Sequence, residues 1–309
     1  MSASQIALLK KYGLPLRRVS GQHLLTDPNI QRKIIELVDP KPKEWILEIG
    51  PGLGALTAEI LAAGASVIAV EKDRWFCEIL EGELGRDYKG RFKIVNADIL
   101  ETSLPSLRGV CRRQTTKQSG NEIASPRQNI GGARNDDQRK FKIVSNLPYY
   151  ITSPVLFWLI ENRSYIEKAV LMMQREVARR ILAQPGNKDY GRLTLAIRYY
   201  AEIERAFDVS RNCFSPKPEV DSSVITLDFH PPSKLPKGID EDFLFHLIQV
   251  AFGARRKTLL NRFVHDPEIG KSRDELVEIL KKLGLPPNAR GEDLLLKDFM
   301  AIAMSLRSQ

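Results

Sequence analysis

Apolar residues in this chain follow two periods. Short, nearly continuous apolar runs lie at 45–47, 66–70, 92–95, 141–145 and 169–173. They read as strands, and the stretches between them carry apolar residues every three or four positions, as helices do. The first helical stretch opens at Asp27-Pro28, places Ile30, Ile34, Ile35 and Val38 on one face, and ends at Pro40 and Pro42. Others follow at 55–63, 153–159, 175–182 and 190–201, with further strand-like runs at 203–209 and 222–229. Strands alternating with helices predict an α/β fold, a parallel sheet covered by helices on both faces. Pro231-Pro232 and Pro236 mark a linker. Beyond it, Phe243, Leu244, Leu247, Ile248 and Ala251 form one apolar helical face, and two shorter helical patterns follow. The expected organisation is an α/β domain over 1–232 and a small all-helical domain over 233–309.

The pattern lapses once. From 108 to 140 few residues are apolar, and Gly, Asn, Gln, Ser, Arg and Asp dominate. That composition predicts an extended polar loop, longer than compact domains usually carry. It holds eight basic residues against three acids, and so supplies about half of the net charge of +9. A charge of that size implies a polyanionic partner. The N-terminus, with Lys10, Lys11, Arg17 and Arg18 and no acid before Asp27, reads as a basic arm. No apolar run approaches the ~18 residues of a membrane span, so a soluble chain is expected. Cys77, Cys111 and Cys213 are odd in number and scattered, which fits a reducing, cytoplasmic compartment and no disulfide framework. The four histidines are scattered too, and no metal site is expected.

Candidate chemistry sits at the ends of the strands. Glu48-Ile49-Gly50-Pro51-Gly52-Leu53-Gly54 joins the first strand to a helix, the arrangement that brings backbone close to a cofactor at a helix N-terminus. The next strand ends in Glu71, 21 residues after Gly50, where an acid can accept hydrogen bonds from two ribose hydroxyls. Glycine turns also punctuate α/β proteins for purely structural reasons. With Glu71, the turn points to an adenosine-containing cofactor, and the G-x-G-x-G spacing favours S-adenosylmethionine over NAD. Asp98, closing the following strand, is placed either to accept from the cofactor's adenine amine or to cap a turn.

Asn146-Leu147-Pro148-Tyr149 closes the fourth strand. The Asn146 amide oxygen and the Leu147 carbonyl can each accept one hydrogen of an exocyclic nucleobase amine. Holding both hydrogens draws the nitrogen out of conjugation and makes its lone pair a better nucleophile. Pro148 fixes the backbone, and Tyr149 offers a face on which a base can stack. Phe214, in Phe214-Ser215-Pro216-Lys217-Pro218, suits either the target base or the core on spacing alone. A target base must leave its stack to reach such a pocket. Arg255-Arg256-Lys257 projects a basic cluster from the C-terminal module, suited to RNA phosphates.

Taken together these segments resemble the KsgA-type family, the small-subunit ribosomal RNA adenine N6,N6-dimethyltransferases. The resemblance runs through Gly21-Gln22-His23-Leu24-Leu25, the Glu48 to Gly54 loop, Glu71, Asn96-Ala97-Asp98 and Asn146 to Pro154. It continues through Phe214 to Ser222 and Ala251 to Leu259, in family order over nearly the whole chain. It implies a Rossmann-like methyltransferase domain that uses S-adenosylmethionine, with a helical RNA-docking domain. It also implies that His23, Leu25, Gly50, Glu71, Asp98 and Asn146 contact the cofactor, beside Gly52 and Gly54 of the loop. The Asn146 loop and Phe214 would hold the target adenine. The implied partner is small-subunit ribosomal RNA in a pre-30S particle, met by a monomer. Two features depart from the family: His23-Leu24 stands where Asn-Phe is usual, and the 108–140 segment is unusually long. The alternatives are a 23S rRNA adenine methyltransferase of the macrolide-resistance type, and a non-catalytic RNA-binding assembly or transcription factor.

Overall fold

A computed structural model describes residues 5–13, 23–112, 140–254 and 257–307. Nine strands are described: β1 (Leu24–Leu25), β2 (Trp45–Ile49), β3 (Ser66–Glu71), β4 (Phe92–Asn96), β5 (Phe141–Asn146), β6 (Ile166–Gln174), β7 (Ala201–Val209), β8 (Phe214–Ser215) and β9 (Ser222–Phe229). Seven form one sheet in the order β4-β3-β2-β5-β6-β9-β7, and β1 pairs with β8 in a separate antiparallel ribbon. The pairings from β4 to β6 are all parallel. The residues of β2 and β3 are nearly all buried, as in a sheet covered on both faces.

Helices α1 (Gln5–Lys11), α2 (Pro28–Val38), α3 (Ala55–Ala62), α4 (Arg74–Leu80), α5 (Leu104–Arg112) and α6 (Thr152–Glu161) belong to the same half of the chain. Asp27 caps α2 as its sequence suggests, its carboxylate accepting from the backbone N–H groups of Asn29 and Ile30. One expectation is corrected here. Residues 108–112, read as the start of a loop, are the last turns of α5, whose Leu104 and Leu107 are buried. The anchor lies upstream of the polar segment, so the composition of the segment itself did not reveal it. The remainder of that segment, 113–139, lies outside the described residues.

The chain divides into two compact units: Met1–Met173 with Phe207–Thr226, and Gln174–Ala206 with Leu227–Gln309. The second therefore takes in α7 (Arg175–Leu182) and α8 (Arg192–Tyr200) as well as the C-terminal helices. The reason is packing: α8 contacts both α9 (Glu241–Phe252) and α12 (Leu296–Arg307). Within this unit the Tyr190 hydroxyl donates to the Leu294 carbonyl at 2.9 Å, and the Tyr200 hydroxyl donates to Glu241 at 2.7 Å. Where two short helical patterns were expected after α9, three helices are found: α10 (Leu259–Phe263), α11 (Arg273–Lys282) and α12. No described helix is long and apolar enough to cross a membrane.

Candidate active site

The parallel register brings the carboxyl ends of four strands to one edge. Ile49 pairs with both Val70 and Ser145, Glu71 with Asn96, and Asn146 with Met172. Chain order reverses at β2, which has β3 on one side and β5 on the other. Open α/β sheets bind ligands at such a switch point, beyond the carboxyl ends of the strands. An open cavity of about 800 Å³, solvent in its mouth included, lies there. Its lining brings together His23, Gly50, Gly52, Glu71, Asp98, Asn146, Leu147, Pro148 and Tyr149, nine of the residues expected from the sequence.

The loop after β2 is shaped by its own backbone. Gly50 N donates to the Val70 carbonyl, and the Ser145 hydroxyl donates to the Ile49 carbonyl at 2.6 Å. Gly52 has φ 56°, and a Cβ there would meet Leu24 at 3.4 Å. Glu71 reaches the loop from β3: one carboxylate oxygen accepts from Gly52 N at 3.3 Å, the other from Asp73 N at 2.8 Å. Burial pushes its carboxyl above the usual range, against the pull of these donors. Below the loop, Glu48 is fully buried and accepts from the Thr57 hydroxyl at 2.5 Å. Burial, with the nearby Glu71 charge, raises Glu48 to about 7.

Asp98 takes the capping role that its position allowed. It caps the turn Ile99–Glu101 through Leu100 N at 3.0 Å, and it lines the cavity. Lys72, which the sequence reading passed over, pairs with its other oxygen at 2.8 Å. The Lys72 hydrogen bond holds Asp98 below its ordinary range.

On the opposite wall the Asn146 amide is oriented by its neighbour. Its Nδ2 donates to the His23 carbonyl at 2.9 Å, which leaves Oδ1 as the acceptor it can offer. The His23 ring stands 5.3 Å from the Tyr149 ring and meets the Pro216 carbonyl through Nδ1 at 2.8 Å. A carbonyl only accepts, so Nδ1 carries the hydrogen. Tyr149 shares a hydrogen bond with the Ser222 hydroxyl at 3.2 Å, and burial raises its phenol.

Three expected residues do not line the cavity. Leu25 and Phe214 are cross-strand partners in the β1–β8 ribbon, and both are buried in the main core cluster. Gly54 is the N-cap of α3, with φ 77°, where a Cβ would fall 2.5 Å from Leu80. Lys257 is exposed, while Arg255 and Arg256 lie outside the described residues. Among the described residues no group of His, Cys, Asp and Glu could hold a metal ion.

The family model "Ribosomal RNA adenine dimethylase" matches residues 14–285. The chain belongs to this family. It is 38% identical over 303 residues to the ribosomal RNA small subunit methyltransferase A of Moorella thermoacetica, covering 98% of this chain and 96% of that one. The protein of the same name from Pelotomaculum thermopropionicum is 37% identical over 302 residues, covering 96% and 94%. Among solved structures, a dimethyladenosine transferase from Plasmodium falciparum matches with a TM-score of 0.72 at 24% identity, covering 93% and 98%. The 23S rRNA methyltransferase ErmE matches with a TM-score of 0.64 at 22% identity, covering 93% and 100%. Both likenesses speak to the fold.

The cavity suits the S-adenosylmethionine that this family uses. Glu71 presents a carboxylate at the tip of β3, the Gly50–Gly52 backbone leaves room for close approach, and Asp98 offers an acceptor at the far wall.

Proposed function

We propose that this chain dimethylates the N6 amines of two adjacent adenines near the 3′ end of small-subunit ribosomal RNA, within a pre-30S particle. The observation that carries this reading is the single cavity lined by Glu71, Asp98 and the Asn146–Tyr149 segment, in a member of the adenine dimethylase family. Glu71 and Asp98 would hold the ribose and adenine of the cofactor, and the Gly50–Gly52 loop would accommodate its methionine portion. When bound, S-adenosylmethionine supplies the methyl group. Asn146 Oδ1 and the Leu147 carbonyl would hold the hydrogens of the target amine. Tyr149, anchored through Ser222 and His23, would keep the base in plane. Phe214 acts through the core in this reading, supporting the ribbon that holds His23. Arg255, Arg256 and Lys257 would meet RNA phosphates. The protein is read as a cytoplasmic monomer.

The test is nucleoside mass spectrometry of ribosomal particles that lack the modification, incubated with protein and S-adenosylmethionine. Dimethyladenosine should arise in the small-subunit RNA near its 3′ end and not in large-subunit RNA. Asn146→Ala should lower turnover by about a hundredfold, the scale of lost positioning, with little change in particle affinity. Product confined to large-subunit RNA, or full activity of Asn146→Ala, would overturn the reading.

A further inference from the structure

Tyr149 and Tyr150 are neighbours in the chain and line the same cavity, yet their rings are placed in opposite ways. Tyr149 is half-buried, hydrogen-bonded to the Ser222 hydroxyl and set beside the His23 ring. Tyr150 is 70% exposed, more than any other large apolar or aromatic side chain among the described residues. Burial of this ring therefore contributes little to the fold. Its backbone is fixed all the same. Within the turn Tyr149–Ile151, Ile151 N donates to the Pro148 carbonyl at 3.2 Å, and the buried Thr152 hydroxyl donates to the Tyr149 carbonyl at 3.3 Å. A flat ring on a rigid turn at the mouth of a base pocket can serve as a stacking platform. Lys72 stands on the same rim, within electrostatic reach of the Tyr150 phenol. Its side chain is 72% exposed, and its ammonium gives one N–H to Asp98 at 2.8 Å. The other two N–H donors are available to a phosphate oxygen.

We propose that Tyr150 and Lys72 seat the nucleotide next to the one in the pocket, its base stacked on the Tyr150 ring and its phosphate on the Lys72 ammonium. The proposal rests on the reading of the Asn146–Tyr149 segment as a pocket for the target adenine. A base that leaves its stack to enter the pocket exposes one face of its neighbour. The Tyr150 ring covers that face. Stacking also suits a substrate with two adjacent targets. While one adenine occupies the pocket the other meets the rim, and it arrives there methylated if it was modified first. A dimethylated amine has no hydrogen left to donate, so a seat built on hydrogen bonds from that amine would reject it. A ring face takes either form, because stacking reads the face of a base and not its edge.

The experiment measures binding of RNA hairpins to wild type, Tyr150→Ala, Tyr150→Phe and Lys72→Met, each saturated with S-adenosylhomocysteine. One hairpin carries two adjacent unpaired adenines, and two others each lack one of those bases at an abasic site. Tyr150→Ala should bind the intact hairpin about five- to twentyfold more weakly than wild type, the lower range for a lost stacked base. Tyr150→Phe, which keeps the ring, should match wild type. One of the two abasic hairpins leaves the seat empty. Wild type should bind that hairpin more weakly by a similar factor, and Tyr150→Ala should lose nothing further, since the two changes remove one contact. Lys72→Met should make the slope of log affinity against log salt shallower by about 1. Additive losses for Tyr150→Ala on both abasic hairpins overturn the stack, and so does an unchanged affinity of Tyr150→Ala for the intact hairpin. An unchanged salt slope overturns the phosphate contact. Weaker S-adenosylhomocysteine binding by Tyr150→Ala would place the ring in the cofactor site and also overturn the proposal. A wild type that binds the intact hairpin no better than one with uridines in place of both adenines defeats the target-pocket reading itself, a result distinct from the others.

Discussion

Glu48 is a carboxylate with almost no water around it, held by the Thr57 hydroxyl and by Thr57 backbone. Its carboxyl stands near 7 in the folded chain and returns to its ordinary value of 4.5 on unfolding. The folded protein therefore binds more protons between these values, and stability contributed by neutral Glu48 is present in full below about 4.5 and lost as pH rises through about 7. Over that window wild type should lose on the order of 3 kcal/mol relative to Glu48→Gln, which keeps the Thr57 partner and cannot titrate. Denaturant unfolding at several pH values checks this, and parallel curves for the two proteins would refute it. At this scale the sequence was legible where a residue's place in the cavity follows from its position at a strand end. Glu71, Asp98 and Asn146 are of that kind. It was opaque where the role depends on a partner distant in the chain. Lys72 looks like an ordinary basic residue between two acids until Asp98, 26 positions on, is seen against it. Leu25 was expected at the cofactor and Phe214 at either the target base or the core, and their pairing with each other could not be read from the sequence.

The loop–helix junction divides its labour among its glycines. Gly50 and Gly52 line the cavity, while Gly54 starts α3 and packs on Leu80 of α4. Gly54→Ala forces a side chain into left-handed backbone and into Leu80, and should cost about 2–4 kcal/mol of stability. Thermal unfolding would register a clear drop in Tm, with a smaller change in S-adenosylhomocysteine affinity measured below that temperature. An unchanged Tm would show that α4 yields freely. Elements with strong periodicity, such as α2, α7 and α9, were readable with nearly their observed bounds. The two-residue strands β1 and β8 were not, because such short segments have no period to detect. Three C-terminal helices were read as two for a related reason, since α10 has only five residues.

Across the whole molecule the excess of +9 is the property that RNA would meet first. Replacing Arg255, Arg256 and Lys257 by alanine should weaken RNA binding and make the slope of log affinity against log salt shallower by up to about 2. S-adenosylhomocysteine affinity should not move, and an unaltered slope would remove the cluster from the RNA footprint. The alternation of strand and helix announced the α/β architecture at this scale. Segment 174–206 packs into the second unit through contacts that no linear pattern encodes. The β1–β8 ribbon has its own bearing on how the protein is made. It joins positions 24–25 to 214–215, and the His23 ring rests on the Pro216 carbonyl, 193 residues further along. Translation at roughly 5–20 residues per second separates the emergence of those two segments by about ten to forty seconds. During that interval a nascent chain can build β2 to β6 and present Glu71 and Asp98, while His23 still lacks its support. The growing polypeptide can thus assemble the Glu71 and Asp98 edge of the cavity early, while the rim at His23 waits for residues near 216 to leave the ribosome.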